Sequence, residues 1–537
     1  MKLKLIHLAA AALCAAACSQ SPAATRERDT AAVLADATVL QVVRSEAEHG
    51  NARAQLRLGL WLMRSNTPSQ DTAQAQKWIA ASANQGFAEA QFELALMFSE
   101  GRGIEKDWKR AVELFRLAAA QGHISAISNM GSAYEKGNGV PKDFAEALKW
   151  HRQAAASGEI YSINSLGVMY ENGMGVPKDA VQARKYYEQS AASGLDAAIA
   201  NLANLYKDGR GVEQDYARAR KLFEQAASKG NNYALLNLGL MQEDGQGVER
   251  DYVQARKFYE QSAAMGNDAA MFNLARLFEY GYGVLIDYAK AHQWYQRAAE
   301  HGDTTANASI GYLYAQGLGV RQDHIEAVRR YRLSANVNDE LGLARLGYAY
   351  EIGAGVPQDY AEALRLYQRA ATLQSRLAIY RLGVMHQYAR GVDKDVKAAA
   401  QWYRRAADLG HPAAQRELGF LHMEGDGVEK NYNEAARLLG MAINNGNAGA
   451  MADMGMLFMR SVDSGKYSYE DAATMFTRAA NAGDADGQMR LGRLYSLGLG
   501  VPKDDQLARK WLESAARLEN RDAIKFLKLI YGIEFRP

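Results

Sequence analysis

The chain reads as an all-α solenoid of about thirteen helix–turn–helix units, each 36 residues long. Three observations predict it: glycines at one fixed period, apolar residues at helical spacing on either side of them, and a capping residue at a fixed offset. Gly103, Gly139, Gly175, Gly211, Gly247, Gly283, Gly319, Gly355, Gly391 and Gly427 follow one another at a spacing of 36. A period in this range is the signature of stacked supersecondary units, none of which buries its apolar face alone.

Most of these glycines sit in the frame G-x-G-V/I-x-x-D, as in Gly137-Asn138-Gly139-Val140 and Asp143. Ile124, Ile127, Met130 and Tyr134 fall at helical spacing, and so do Phe144, Ala147, Leu148 and Ala155. Each unit is therefore two amphipathic helices. Gly137 stands where the first must stop in a left-handed conformation, and Gly158 stops the second. Asp143 caps the second helix, and Asp143 with Glu146, Asp359 with Glu362 and Asn431 with Glu434 have capping-box spacing. Small residues such as Gly131 and Ala154-Ala155 let neighbouring helices approach closely.

Before the repeats lies an address. Lys2 and Lys4 precede an apolar run from Leu5 to Ala17, so residues 1–17 read as a signal peptide, too short to span a bilayer. Ala15-Ala16-Ala17-Cys18-Ser19 resembles a bacterial lipobox, with Ala15 where Leu is usual; Cys18 is the expected lipidation site. Ser19 is not the Asp that resembles an inner-membrane retention signal. The expected destination is the outer membrane, facing the periplasm or the cell surface, with a soluble periplasmic or secreted protein as the alternative. Residues 18–29 form a tether, residues 30–50 a capping helix, residues 51–519 the repeats, and residues 520–537 a second capping helix. Asn66-Thr67-Pro68 replaces the glycine pair in the first unit. The unit at Arg460–Tyr469 also lacks the pair and has one extra residue, with Ser468 placed to cap. Asn338, Gln374 and Ala389 replace turn glycines, which predicts irregular geometry and a kink over 335–391.

Composition agrees with a helical, uniform chain: 48 glycines but 8 prolines in 537 residues. Lys plus Arg is 63 against 61 Asp plus Glu, a net charge of +2, which carries no nucleic-acid footprint. Cys14 and Cys18 are the two cysteines, so the repeats have neither a disulfide framework nor thiolate chemistry. The G-x-G motifs join helices rather than a strand to a helix, so they are not dinucleotide sites. There is no H-E-x-x-H, S-x-x-K, K-T-G or P-loop motif. His386 and His422, one unit apart, read as substituted core aromatics rather than a metal pair. Glu135, Glu171, Glu243, Glu279 and Glu351 share a register and read as a solvated or loop-bracing stripe. No catalytic residue, metal or cofactor is expected, and the chain is not expected to be an enzyme.

The run Leu166-Gly167-x-x-Tyr170-x-x-Gly173-x-Gly175-Val176-x-x-Asp179-x-x-x-Ala183 resembles the Sel-one-like repeat family, relatives of the tetratricopeptide repeats with a longer unit. The resemblance covers nearly all of the chain after the leader. It implies a right-handed superhelix whose first helices line the concave surface. It also implies an adaptor: a subunit of a membrane-bound assembly, a polysaccharide-export scaffold, or a bacterial factor that contacts host proteins.

Two rows on the first helices point away from their own pair. One reads Asn129, Ser165, Asn201, Asn237, Asn273, Ser309, Arg345, Arg381, Glu417; the other includes Tyr312, Tyr348 and Phe420. Amides suit the backbone of an extended peptide, and Tyr and Arg suit anchor positions. Asn129, Asn201, Asn237, Asn273, Tyr312, Arg345, Tyr348, Arg381 and Phe420 are thus the expected contacts of a protein or peptide partner; helix-on-helix packing would use the same rows. The alternative partner is an anionic polysaccharide, suggested by Arg365, Arg369, Arg376, Arg381, Arg390, Arg404 and Arg405. Contact with a membrane is expected through the lipid alone.

Overall fold

A computed structural model describes residues 37–64, 69–462 and 465–535. The leader, Cys18, the tether, the front of the N-terminal capping helix and Asn66-Thr67-Pro68 lie outside the described residues. Among the described residues there are twenty-eight helices, most of thirteen residues, and no strand. Among them no helix is long and apolar enough to cross a membrane.

The turn between paired helices is built by local chemistry. Gly137 takes φ 75° and returns its N–H to Ala133, ending Ile124–Lys136. Asp143 then accepts from the N–H groups of Ala145 and Glu146, opening Phe144–Ala156. The Asp143 N–H donates back to Tyr134 O at 3.0 Å, which locks the turn across the pair. The same bond recurs at Asp179–Tyr170, Asp359–Tyr350 and Asn431–His422. The reciprocal half of the capping box does not form at the three predicted places. Glu146, Glu362 and Glu434 turn outward instead, to Lys149, Arg365 and Arg437. A full capping box forms at Ser468 with Asp471.

The expected irregularity over 335–391 is slight in the turns themselves: Arg376–Gln387 stops one residue earlier than Glu340–Ile352 does. Asn338, Gln374 and Ala389 adopt φ of 60°, 64° and 55°, so each takes the left-handed turn in place of glycine. The surrounding helices hold them there at a cost of about 1–2 kcal/mol each.

The chain divides into two compact units. The first comprises residues to Ala270 with Tyr282–Val284, and the second Met271–Gly281 with residues from Leu285 onward. In the first unit, Phe115, Ile127, Met130 and Phe92 build one stretch of core. In the second, Tyr367, Ile379, Leu382, Tyr403 and Leu418 build another. At the front, Ala37–Glu48 packs on Ala52–Arg64 through Val43 and Leu58. At the back, Arg521–Tyr531 covers Leu512 and Ala515 through Leu527.

Candidate functional site

The inner geometry starts from a glycine and a ring. At Gly167, Gly239, Gly311, Gly347 and Gly383 the glycine of the first helix faces a tyrosine of its own second helix. A Cβ on Gly347 would meet the Tyr367 ring at 2.8 Å, and one on Gly167 the Tyr187 ring at 2.5 Å. The ring can therefore lie flat against the backbone, and its hydroxyl reaches across to the first helix.

There it meets the carboxylate ladder. Tyr187 donates to Glu171 at 2.5 Å and Tyr259 to Glu243 at 2.7 Å in the first unit. In the second unit, Tyr295 donates to Glu279 at 2.6 Å and Tyr367 to Glu351 at 2.7 Å. The ladder is not a solvated stripe: Glu351 is 1% exposed. Burial, then the adjoining carboxylate, hold the Tyr295 and Tyr367 hydroxyls well above the ordinary tyrosine range.

Arginines from the following repeat complete two of these clasps. Arg210 pairs with Glu171 in the first unit. In the second, Arg390 reaches Glu351 at 2.6 Å and Arg381 lies at 3.8 Å from the same oxygen. Where the ladder residue is Lys207, the ring is Phe223, and the ammonium donates instead to Asn237 at 2.9 Å. Burial lowers the Lys207 pKa.

The amide row does not all face outward as expected. Asn237 is 2% exposed, because its Nδ2 donates to Tyr233 O at 2.9 Å while its Oδ1 accepts from Lys207. Asn273 is also buried, accepting from Arg276 at 3.0 Å. Asn129 is half-buried and donates to Ser125 O at 2.8 Å within its own helix, and Asn201 donates to Asn164 at 3.1 Å in the preceding repeat. The Asn201–Asn164 and Lys207–Asn237 bonds join first helices to one another, the packing use of the row, while the others stay within one helix.

The Arg and Tyr positions behave differently. Arg345 stacks over Tyr312 at 4.5 Å and donates to Ala308 O at 2.6 Å. Arg381 stacks over Tyr348 at 4.2 Å, and Tyr348 is 38% exposed. Arg381 Nε is buried with no hydrogen-bond partner among the described residues. Each guanidinium is thus held flat on a ring from the repeat before, at an effective attraction of about 0.5–2 kcal/mol. Phe420 is half-buried and packs on Met423, Leu439 and Leu457, so it serves the core as well as the surface.

Nearby groups are modified by the same face. Burial, then Arg376 and Arg381, push His411 down to about 4. Burial raises Glu417 above the ordinary carboxylate range. Burial pushes Tyr331 up to about 12. His422 spends both ring nitrogens, one with Arg404 at 2.8 Å and one with Glu429 O at 3.0 Å.

Most of the arginines expected to favour a polyanion are already engaged. Arg365 pairs with Glu362, Arg369 with Asn338, Arg390 with Glu351, and Arg404 with Glu434; Arg405 donates to Ala371 O.

The buried tyrosines are the site residues that sequence reasoning missed. The column eleven after the loop glycine holds the conspicuous aromatics Trp150, Tyr186 and Trp402. The column one further on holds Tyr187, Tyr259, Tyr295, Tyr367 and Tyr403, each fully buried.

A run of paired helices, several of them closed by a tyrosine–carboxylate clasp, defines an α-helical repeat scaffold. Thirteen successive matches to the Sel1 repeat extend from 52–87 to 485–520 without a gap longer than one residue. The chain belongs to the Sel1 repeat family, whose members are generally non-enzymatic protein-interaction scaffolds. Among solved structures it is similar to the protective antigen c5321 of uropathogenic Escherichia coli, which displays the same type of fold. The two are 30% identical over 93% of this chain and 99% of that one, with a TM-score of 0.53. A Sel1 repeat protein from Oxalobacter formigenes is 31% identical over 45% of this chain and 96% of that one, with a TM-score of 0.42. No curated protein matches the chain.

Proposed function

We propose that this protein is an exported, lipid-anchored scaffold that holds a protein or peptide partner on the first helices of its second unit. The observation that carries the reading is the pair of arginine–tyrosine stacks. Arg345 on Tyr312 and Arg381 on Tyr348 are preorganised, part-exposed and charged. Stacked Arg and Tyr are the side chains that dominate protein interfaces, because they bury much area with little loss of rotamer freedom. The internal pairing of Arg365, Arg369, Arg390, Arg404 and Arg405 favours a protein over an anionic glycan, since few cations are left for a polymer.

The export part of the reading rests on Lys2, Lys4, the apolar run to Ala17 and the lipobox-like Ala15–Ser19. That the similar c5321 is a protective antigen fits an envelope location.

Cross-linking in the native envelope followed by mass spectrometry tests both parts. The chain is compared with its Cys18→Ser and Arg345→Glu/Arg381→Glu variants, with thermal melts to confirm folding. One envelope protein complex recovered by the wild type, depleted in the Cys18→Ser variant and lost in the charge-reversed one, is expected. Equal recovery by wild type and charge-reversed protein would remove the partner from this face.

A further inference from the structure

The clasp obeys a pairing rule that one repeat breaks. From Phe115 to Tyr403 the ring column reads Phe, His, Tyr, Phe, Tyr, Tyr, Tyr, Tyr, Tyr. The residue sixteen earlier reads Ser99, Glu135, Glu171, Lys207, Glu243, Glu279, Ala315, Glu351, Gln387. Every ring with a polar atom faces a side-chain acceptor, except Tyr331, which faces Ala315. His151 lies 3.5 Å from Glu135, and Tyr403 donates to Gln387.

Two other members of that clasp are in place. Stepping one repeat back from Glu351, Tyr367 and Arg381 leads to Ala315, Tyr331 and Arg345. Arg345 acts electrostatically on both Tyr331 and Tyr280. Tyr331 makes no hydrogen bond among the described residues, and Arg345 makes one, to a main-chain carbonyl. The fourth member is trimmed as well: Ala354 stands where the following repeat has Arg390. Ala315 and Ala354 are both half-buried rather than sealed, whereas Glu351 is buried. What is missing is a carboxylate with its methylene stem, and what remains is a hydroxyl donor and a guanidinium around the gap.

We propose that this gap is a carboxylate-binding notch, in which an acidic group of the partner takes the place that Glu351 fills in the next repeat. The Tyr331 hydroxyl donates to one carboxylate oxygen and Arg345 pairs with the other, while Tyr312 keeps the guanidinium flat. A charged acceptor is favoured over a neutral amide because charge-assisted bonds to buried donors are about twice as strong. The notch deepens the partner-binding reading and rests on it.

Fluorescence polarisation with the full chain and three pools of labelled heptapeptides tests it. The first pool has a fixed central Glu and an amidated end, the second a central Gln and an amidated end, the third neutral side chains and a free C-terminal carboxylate. The wild type should bind the Glu pool ~tenfold more tightly than the Gln pool, the worth of one charged hydrogen-bond pair. Preference for the third pool over the second would assign the notch to a chain end rather than a side chain. Ala315→Glu should erase every carboxylate preference and raise Tm, since it supplies Tyr331 and Arg345 with a tethered carboxylate. Tyr331→Phe should weaken the preference several-fold at unchanged Tm. Equal binding of the Glu and Gln pools, binding of no pool, or a Glu preference that survives in Ala315→Glu would each overturn the notch. So would a fall in Tm for Ala315→Glu, which shows that the gap cannot seat a tethered carboxylate. If the pools bind equally but Arg381→Glu weakens them all, the partner face stands and the notch alone fails.

Discussion

The repeats at 304–339 and 341–375 are neighbours in one unit and share their turn glycines, the Asp caps of their second helices and a buried tyrosine, yet differ at the inner position that Ala315 and Glu351 occupy. In the later repeat Glu351 is enclosed by Tyr367, Arg390 and Arg381. In the earlier one Ala315 leaves Tyr331 and Arg345 without that acceptor. The difference teaches how a repeat scaffold can acquire specificity. The framework is set by glycine and alanine positions that no partner touches. A polar clasp added inside it is a stabiliser when the chain supplies all members, and a receptor when the chain withholds one.

The strongest way to break the contrast is to empty the filled clasp. Glu351→Ala leaves the buried Tyr367 hydroxyl and two part-exposed arginines without their acceptor, and should cost about 3 kcal/mol. The later repeat would then resemble its neighbour in composition without its solvent access. Denaturant unfolding would show the loss as a lower midpoint. A midpoint within experimental scatter of wild type would mean that Arg390 and Tyr367 find other partners, and that the clasp is ornament.

A finer cut uses the two rings. Tyr367→Phe removes a hydroxyl that donates to a carboxylate, and should cost about 1–3 kcal/mol. Tyr331→Phe removes a hydroxyl with no hydrogen-bond partner among the described residues, and should stay within about 0.5 kcal/mol of wild type. Matched stability measurements on the two variants check the asymmetry. Equal losses would show that Tyr331 is already satisfied.

The framework was legible in the sequence because backbone geometry imposes residue types. A turn that needs positive φ selects glycine, and an N-cap selects Asp, so both recur at 36 whatever the surface does. The three substituted turns were misjudged for a related reason. Asn338, Gln374 and Ala389 can enter the same conformation when neighbouring helices hold them, and a composition rule does not weigh that support. The clasp was less legible. Helical spacing places Glu351 at the edge of the apolar stripe, where a carboxylate ordinarily reaches water, and periodicity along one helix does not include the tyrosine sixteen residues on. Asn237 was misplaced in the same way: its amide looks away from its own pair but into Lys207 of the repeat before. Residues that close contacts between repeats show only when columns are compared in pairs.

The smallest effect lies at the rim, where the two repeats are alike and acid can be used as the probe. Glu326 and the equivalent Glu362 sit in the first turns of their second helices. Hydrogen bonds from Arg329, with Arg330 adding to them, hold Glu326 down at about 2. A hydrogen bond from Arg365 lowers Glu362 in the same direction. A carboxyl whose folded pKa lies below its unfolded value stabilises fully above the unfolded value, and loses that contribution as pH falls through the folded one. For Glu326 the window runs from an ordinary 4.5 down to about 2. Because these ion pairs are at the surface, Glu326→Gln should cost less than about 1 kcal/mol at neutral pH. Its stability gap from wild type should close as pH approaches the lower end of that window, as measured by Tm across a pH series. Glu362→Gln should show the same sign with a smaller effect, since Leu366 stands where Arg330 adds a second partner to Glu326. A gap for Glu326→Gln that widens in acid would reverse the sign and place the carboxyl in a different environment from its twin.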